Sequence, residues 1–538
     1  GTWYWNRYPG CACDIDSYLY SFSFSKELDK EWSWTRRYGK QPEILEYARF
    51  TAEKFDLKRN VCFWTKVTSA TYDEGQRLWV VRTDRGDCTR ARFLFLANGA
   101  LSSPTLTNIH GVERFKGDSF HTHDWNHNVD LAGKRVGVVG TGSTATQVIP
   151  ELAKVAKHLT VFQRTPAYCA PRKDHPMDAA MEKAIKDNYA AFRMGVFSAT
   201  RGQEGGNAGL TDLEKASAAE DKLRERGGFG IIGSDAGREG EENEGAQFIH
   251  GPLNNPKANA RLQEYIRRMI SSTVKDPGVA KSLMPYYAIG CKRLCITDEY
   301  WPTFNRDNVC TRSSLRLTVP YASRTVTLVD LKGQSITEIT ESGPRCPDGT
   351  VHELDALVFA TGFELSGELS GGMDIRGRGG RSLSEKWRQG VSTYLGMLTH
   401  GFPNMFIMVG PQSASVLSNM VNAIEHQAAW FARLVRELNA KGCTEVDVDE
   451  EAERAWVRHC SDITSKTVFG GVAGGCISWY TKENLRVDGA SRVSGGPLAQ
   501  HQHVLPYTGG FPEYVNDVRK WAWIPRGLSP VPEGLLVS

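Results

Sequence analysis

The sequence predicts an α/β fold built on parallel strands, and two stretches predict it. The apolar run Val136-Gly-Val-Val139 leads into Gly140-Thr-Gly142-Ser-Thr-Ala145, and Gln147-Val-Ile continue as a helix. A second apolar run, Leu159-Thr-Val-Phe162, begins about twenty residues after the turn and ends in Gln163-Arg164-Thr165-Pro166. Strand, glycine turn, helix and strand in this order make a Rossmann-like unit, which seats a dinucleotide pyrophosphate.

Each element of that unit has a physical reason. Gly140 permits the tight turn, Gly142 lets backbone N–H groups come close to a phosphate, and Ala145 is small enough for the helix to pack on its strand. The pyrophosphate then rests at the positive end of the helix. The second strand indicates which dinucleotide is bound. An NAD unit usually closes this strand with Asp or Glu, which holds the ribose 2′-hydroxyl, but Gln163 and Arg164 stand there instead. A carboxylate repels a 2′-phosphate, whereas a guanidinium grips it with two charge-assisted bonds. The sequence therefore favours NADP(H) over NAD(H). The plainer reading of Arg164 is a surface arginine after a core strand.

A chain of 538 residues is long enough for two or three domains. Its 65 basic and 62 acidic residues leave a net charge of +3, and nothing there argues for nucleic acid or an anionic membrane as partner. No apolar run reaches the roughly 18 residues of a membrane helix. Arg92-Phe-Leu-Phe-Leu-Ala97 reads as a buried strand. The 12 cysteines are scattered, and Cys11-Ala-Cys13 and Cys291-Lys-Arg-Leu-Cys295 lack zinc spacing. They read as structural or free thiols with no metal, in a reducing, cytoplasmic setting. The chain opens on Gly1 rather than Met and shows no secretory leader, so a processed chain or a fragment is expected.

Residues 1–128 read as mixed strands and turns, with β-rich runs from Val61 to Thr68 and from Leu78 to Thr83. Residues 129–330 hold the nucleotide unit. Within it, about 167–285 reads as a helical insert whose part from Gly202 to Gly245 is nearly free of large apolar residues. Residues 331–538 are expected to return to the first domain, through a strand within Val351 to Phe363 and a helix from about Ser418 to Leu438.

Just upstream of the glycine turn lies Phe115-Lys-Gly117-Asp-Ser-Phe-His121-Thr-His-Asp-Trp125. Alone it is readable as a linker with aromatic anchors and a hydrogen-bonded core histidine. His121, His123 and His127 have no acidic or cysteine partner at helical spacing to suggest a metal. Beside the nucleotide turn, the spacing F-x-G-x-x-x-H-x-x-x-W resembles the fingerprint of the flavin-dependent Baeyer–Villiger monooxygenases, a class B flavoprotein monooxygenase family. Further segments resemble that family in order along nearly the whole chain. They are Gly1-Thr-Trp3-Tyr-Trp5-Asn-Arg-Tyr8-Pro-Gly10 with Cys13-Asp14, Lys292-Arg293-Leu-Cys, Ala360-Thr-Gly362-Phe, Gly410-Pro-Gln-Ser-Ala-Ser415-Val-Leu-Ser-Asn419-Met420 and Ser478-Trp479-Tyr480.

The resemblance implies two Rossmann-like dinucleotide-binding domains, for FAD and for NADP, with a helical insert and with the first FAD β-α-β unit missing. It implies FAD and NADPH as cofactors, O2 as co-substrate, and conversion of a ketone, most readily a cyclic one, to an ester or lactone. By motif position Arg293 is the fixed cation that keeps the flavin's oxygen adduct anionic, because arginine lowers a neighbour's proton affinity without supplying a proton. Asp14 is the acid that positions it, and His121 and Trp125 belong to the catalytic fingerprint. Arg164 with Thr165 matches the 2′-phosphate clamp, and Lys292 a second contact to that phosphate. Thr141, Gly142, Ser143, Thr144, Ala145, Thr146 and Gln147 match the pyrophosphate loop, and Trp479 the nicotinamide end. Thr2, Trp3, Tyr4, Trp5, Asp14, Tyr20 and Met420 match flavin contacts, and Val67 a backbone contact to its adenine. The alternatives are an N- or S-oxygenating flavin enzyme and an inactive, truncated remnant.

The sequence departs from that family in places. Asn126 stands where Pro or Asp is usual, and Ala12 where many members carry an arginine. The unit that holds the FAD adenosine half precedes the matched region. Two polar, patternless stretches, between Asn308 and Val326 and from Lys482 to His503, read as unspliced coding sequence.

Overall fold

The structure, a computed structural model, describes residues 1–99, 101–105, 109–187, 189, 253–306, 309–312, 326–364, 372–388, 390–414, 419–470, 480, 507–521 and 535–537. Helices α1 (Thr2–Trp5) and α2 (Gln41–Lys54) lead into three antiparallel strands, β1 (Val67–Asp73), β2 (Leu78–Thr83) and β3 (Cys88–Ala91), and then β4 (Leu94–Leu96). The nucleotide unit follows as β5 (Asp118–His121), β6 (Arg135–Val139), α3 (Ser143–Val155), β7 (His158–Gln163) and a short β8 (Cys169–Ala170). Next come α4 (Ala179–Asp187), α5 (Pro256–Thr273), α6 (Pro277–Leu283), β9 (Cys295–Ile296), β10 (Val309–Arg312), β11 (Val326–Asp330) and β12 (Ala356–Phe359). The chain continues through β13 (Asp374–Arg376), β14 (Met405–Ile407), α7 (Met420–Ala440), α8 (Glu450–Ser465) and α9 (Phe511–Trp521).

Six strands form one all-parallel sheet in the order β10-β11-β7-β6-β12-β5. A parallel sheet is covered on both faces, so its strands are apolar throughout. Val136, Val138, Leu357 and Val358 are accordingly buried without residue. From β6 the chain steps to β7 on one side, while β12 lies on the other. The crevice at the carboxyl end of β6 is therefore the switch point at which such sheets take ligands.

Two expectations are corrected by this sheet. The strand Ala356–Phe359, which the sequence assigns to the first domain, lies between β6 and β5. Its side chains are apolar on both faces, and only a sheet interior buries both. Val309–Arg312, the start of a stretch read as patternless, forms strand β10 against β11. The rest of that stretch, the stretch from Lys482 to His503 and the part from Gly202 to Gly245 lie outside the described residues.

The expected helical region contains α4, α5 and α6. Helix α5 starts where Asn255 accepts the N–H groups of Lys257 and Ala258, with Pro256 in the first turn, where its missing N–H costs nothing. Ala258, Leu262, Tyr265, Ile266 and Ile270 recur at helical spacing and are buried against the nucleotide core. Burying one of the larger aliphatic side chains contributes about 2 kcal/mol, which holds the insert on the sheet.

Gly140 has a φ of +113°, and a Cβ there would sit 2.5 Å from the Ala360 carbonyl oxygen. Gly142 has a φ of −78° and open space around it. Gly140→Ala is expected to lower stability by about 1–3 kcal/mol in urea unfolding, and Gly142→Ala by less than about 0.5 kcal/mol. Equal losses would contradict this geometry of the turn.

Candidate functional site

Helix α3 organises the site. It begins after Gly142 with no side-chain cap, so the first-turn N–H groups of Ser143, Thr144 and Ala145 face the carboxyl end of β6. The Thr146 N–H is already bonded to Gly142 O at 2.9 Å, and the Thr146 hydroxyl donates to Ser143 O at 2.9 Å. Ala145 is fully buried, as close helix–strand packing requires. The loop is held from the β7 side, where the Thr141 hydroxyl donates to the Thr165 carbonyl at 2.7 Å and the Gly140 N–H to the Phe162 carbonyl at 3.1 Å. An uncapped first turn beside the open space at Gly142 fits a pyrophosphate. Gln147 is engaged elsewhere: its Oε1 accepts from the Tyr8 hydroxyl at 2.8 Å and the Ala12 N–H at 3.4 Å, and its Nε2 donates to Ala12 O at 3.0 Å.

At the end of β7 the two residues expected in place of the ribose carboxylate part company. Gln163 is fully buried and donates to the Ser282 carbonyl at 2.7 Å, so it faces α6 rather than a ribose. Strand alternation then turns Arg164 outward, where it is exposed. An exposed guanidinium there suits a 2′-phosphate. Lys292 lies with its ammonium 5.4 Å from the centre of the Tyr287 ring.

The third part of the site joins residues 279 positions apart. Arg293 donates from Nε and Nη2 to the two Asp14 oxygens, both at 2.9 Å. The side chains are 23% and 20% exposed, so the pair is held but not sealed. Burial works against the guanidinium's charge. The Asp14 carboxylate, with Tyr480 and Cys13 nearby, more than offsets this and raises its pKa further, which makes Arg293 a permanent cation. Tyr480 is buried beside it. Burial pushes its phenol up to about 12 against the pull of the Arg293 charge, so it keeps its proton.

Aromatic and polar groups line this pair. The Trp3 indole N–H donates to the Tyr20 hydroxyl at 3.2 Å, with the rings edge-on at 5.9 Å. Burial raises the Tyr20 pKa, so this phenol is also neutral. Asn419 caps α7 by accepting the Val421 N–H at 3.1 Å and donates to the Leu19 carbonyl, which sets Met420 next to the segment carrying Tyr20. Thr2, Tyr4 and Trp5 are exposed on α1. Flat aromatic surface, neutral phenols and one part-exposed cation are a donor set that fits a flavin ring. Val67 opens β1 opposite Thr83, in a different sheet from the nucleotide unit.

The fingerprint residues make contacts within the protein. His121 ends β5, is buried, and accepts the His123 N–H on Nδ1 at 3.0 Å. Trp125 packs edge-on against Phe120 at 5.0 Å on the nucleotide core. Trp5 stacks on His123 at 5.6 Å with planes 20° apart, which ties the fingerprint to α1. Trp479 lies outside the described residues.

Sequence reasoning passed over Tyr480, although the Ser478-Trp479-Tyr480 motif was its signal. It also passed over Asn259, a buried side chain that bonds both backbone groups of Ile289, at 2.9 and 3.1 Å, and so fixes the approach to Lys292 and Arg293. No spacing marks that role. Cys291, read as a thiol, is disulfide-bonded; spacing along the chain does not reveal such a pairing. Among the described residues no group of three or more His, Cys, Asp or Glu side chains is placed to hold a metal, and no helix is long and apolar enough to cross a membrane.

Residues 35–186 match the family described as Flavin-binding monooxygenase-like. The chain is 34% identical over 526 residues to a phenazine N-monooxygenase of Lysobacter antibioticus, covering 97% of this chain and 88% of that protein. It is 37% identical over 473 residues to a Baeyer–Villiger monooxygenase of Pseudooceanicola batsensis, covering 87% and 81%. Its fold is similar to that of cyclohexanone monooxygenase from Rhodococcus sp. Phi1 bound to NADP+, with a TM-score of 0.82 and 32% identity over 100% of this chain and 92% of that one.

Burial, and then the neighbouring His123, push the His121 pKa down to about 4. An unfolded histidine titrates near 6.5, so between those values the unfolded chain binds a proton that the folded one does not. The stability at stake is fully present above about pH 6.5 and falls as pH drops toward 4, by about 1.4 kcal/mol per pH unit. Urea unfolding at pH 7, 6 and 5 is expected to show a shallower decline for His121→Gln than for the wild type. Parallel declines would mean that His121 does not titrate in this way.

Proposed function

The chain belongs to the Baeyer–Villiger monooxygenases, and from that premise we propose how its own residues serve the reaction. The activity is an FAD- and NADPH-dependent insertion of one oxygen atom of O2 beside the carbonyl of a ketone, most readily a cyclic one, giving an ester or lactone. The bound flavin, reduced by NADPH, supplies the activated oxygen. What the protein adds is position, charge and protection from protons.

The observation that carries this reading is the Arg293–Asp14 pair. Oxygen transfer to a ketone needs a nucleophile, and a nucleophilic oxygen must stay unprotonated. Arg293 keeps its protons across the working pH range and lowers the proton affinity of any oxyanion beside it. Asp14 fixes the guanidinium plane with two bonds, so that no reorientation is needed when negative charge develops. Tyr480 and Tyr20 remain neutral, and as weak acids they donate hydrogen bonds without giving up protons. Arg164 and Lys292 hold the 2′-phosphate, and α3 the pyrophosphate. His121 and Trp125 act as positioning residues that set the junction beneath α1.

We assign residues 1–128 and 331–538 to the FAD side and 129–330 to the NADP side, with β5 and β12 contributed to the NADP sheet. Nine described cysteines are free thiols, Cys11, Cys13, Cys169 and Cys295 among them, which supports a cytoplasmic setting, while the disulfide at Cys291 weighs against it. A second reading, N- or S-oxygenation, is favoured by the likeness to the phenazine N-monooxygenase. That chemistry wants a protonated, electrophilic oxidant, and a fixed cation works against it.

Purified protein with FAD and NADPH is expected to convert cyclic ketones to lactones. Arg293→Ala should lower kcat by about 10²–10³-fold while NADP+ binding persists. Arg293→Lys should fall between the two, because an ammonium lacks the planar fork that Asp14 holds. Given a ketone and a thioether together, sulfoxide without lactone would overturn the reading. So would an Arg293→Ala variant within about tenfold of wild type.

A further inference from the structure

We propose that Tyr286 is the platform on which the adenine of the NADPH stacks, completing with Arg164 and Lys292 a site that reads adenosine 2′-phosphate. The proposal rests on the NADPH reading above.

Tyr286 is 68% exposed, and among the described large apolar residues only Trp64 is more so. Leaving a ring in water forfeits the gain of burying it, and the neighbouring Tyr287 does not do so. The position of the ring gives the exposure a meaning. A Cβ placed on Gly333 would lie 4.0 Å from the Tyr286 hydroxyl. The Gly333 N–H donates to the Arg164 carbonyl at 2.9 Å, and the Leu331 N–H to the Gln163 carbonyl at 2.8 Å. The turn after β11 therefore joins the tip of Tyr286 to the end of β7, where Arg164 is exposed. On its other side the Tyr286 ring meets Tyr287 edge-on at 6.2 Å, and the Lys292 ammonium lies 5.4 Å from the Tyr287 ring centre. Along the rim of the site the order is Arg164, Tyr286, Tyr287, Lys292, with a cation at each end and an open ring between.

The backbone on either side of the ring is held. The Tyr168 hydroxyl donates to the Tyr287 carbonyl at 2.9 Å, and Arg267 donates from Nε and Nη2 to the Pro285 carbonyl at 3.3 and 3.2 Å. Both backbone neighbours of Tyr286 are thus fixed while its side chain is left open. A preorganised aromatic face loses little freedom when a flat base settles on it. The two flanking cations suit a phosphate attached to the same nucleoside.

The test is equilibrium binding to the holoenzyme without turnover, by calorimetry, with adenosine 2′,5′-bisphosphate and with 5′-AMP as probes. Wild type is expected to bind the bisphosphate more tightly. Tyr286→Ala should weaken both probes about ten- to a hundredfold, as loss of a base–aromatic stack does. Tyr286→Phe should stay within about threefold of wild type, because it keeps the ring face. Arg164→Ala should remove the preference for the bisphosphate. If wild type does not bind the bisphosphate, the NADPH reading fails. If wild type binds it and Tyr286→Ala is unchanged, or if Phe weakens binding as much as Ala, the platform alone is overturned.

Discussion

The rest of the site depends on the pairing of Arg293 with Asp14. A partly buried ion pair is a poor source of stability, because removing both charges from water costs about as much as their attraction returns. Its value is positional. Two N–H···O bonds of 2.9 Å leave the guanidinium no freedom to rotate, and the carboxylate keeps it charged where burial alone would disfavour charge. A lysine at this position would offer charge without a plane, and a histidine a charge that comes and goes with pH.

The pair is assembled by a helix that belongs to neither partner. Gln147 on α3 grips Tyr8 and Ala12, two residues before Asp14. Ser143, one turn earlier on the same helix, lies 3.6 Å from the Cys295 sulfur, two residues after Arg293. In the function proposed above, the first turn of α3 also receives the pyrophosphate. One rigid rod therefore sets the distance between the two charges and, in the proposed function, the seat of the nucleotide as well. Gly10, with a φ of +82° and no room for a Cβ against the Gln147 carbonyl, lets the Asp14 segment lie this close to the helix. A family resemblance assigns Gln147 to the nucleotide, whereas the structure spends its amide on the clamp.

Most of the nucleotide unit was legible in the sequence because its signals are local: a glycine where φ is positive, apolar runs of strand length, and a small residue where a helix meets a sheet. What the sequence did not reveal depends on partners far along the chain. Gln163 looks like a ribose contact by position, but parity along β7 points it into α6, and one residue decides which face Arg164 takes. Ala356–Phe359 looks like any buried strand, and its place beside β6 follows from a fit among strands hundreds of residues apart. Tyr480 acquires its role only because Arg293 is folded against it.

The reach of the pair limits what chemistry it can favour. Arg293 and Asp14 together carry no net charge, so their field is that of a dipole and fades quickly. For an oxyanion about 4 Å from the guanidinium and about 8 Å from the carboxylate, with an effective dielectric of about 20, the cation contributes about 4 kcal/mol of attraction and the anion takes back about 2. The remainder of about 2 kcal/mol lowers the proton affinity of that oxyanion by roughly 1.5 pKa units. An oxygen farther away, or on the Asp14 side, gains nothing or is repelled. The pair therefore does not make the cleft generally cationic. It favours negative charge at one place, on the far side of the guanidinium, beside phenols that stay neutral. Such a site preserves a nucleophilic oxygen and offers it no ready proton, which is the condition for attack on a carbonyl rather than transfer to a nitrogen or sulfur lone pair.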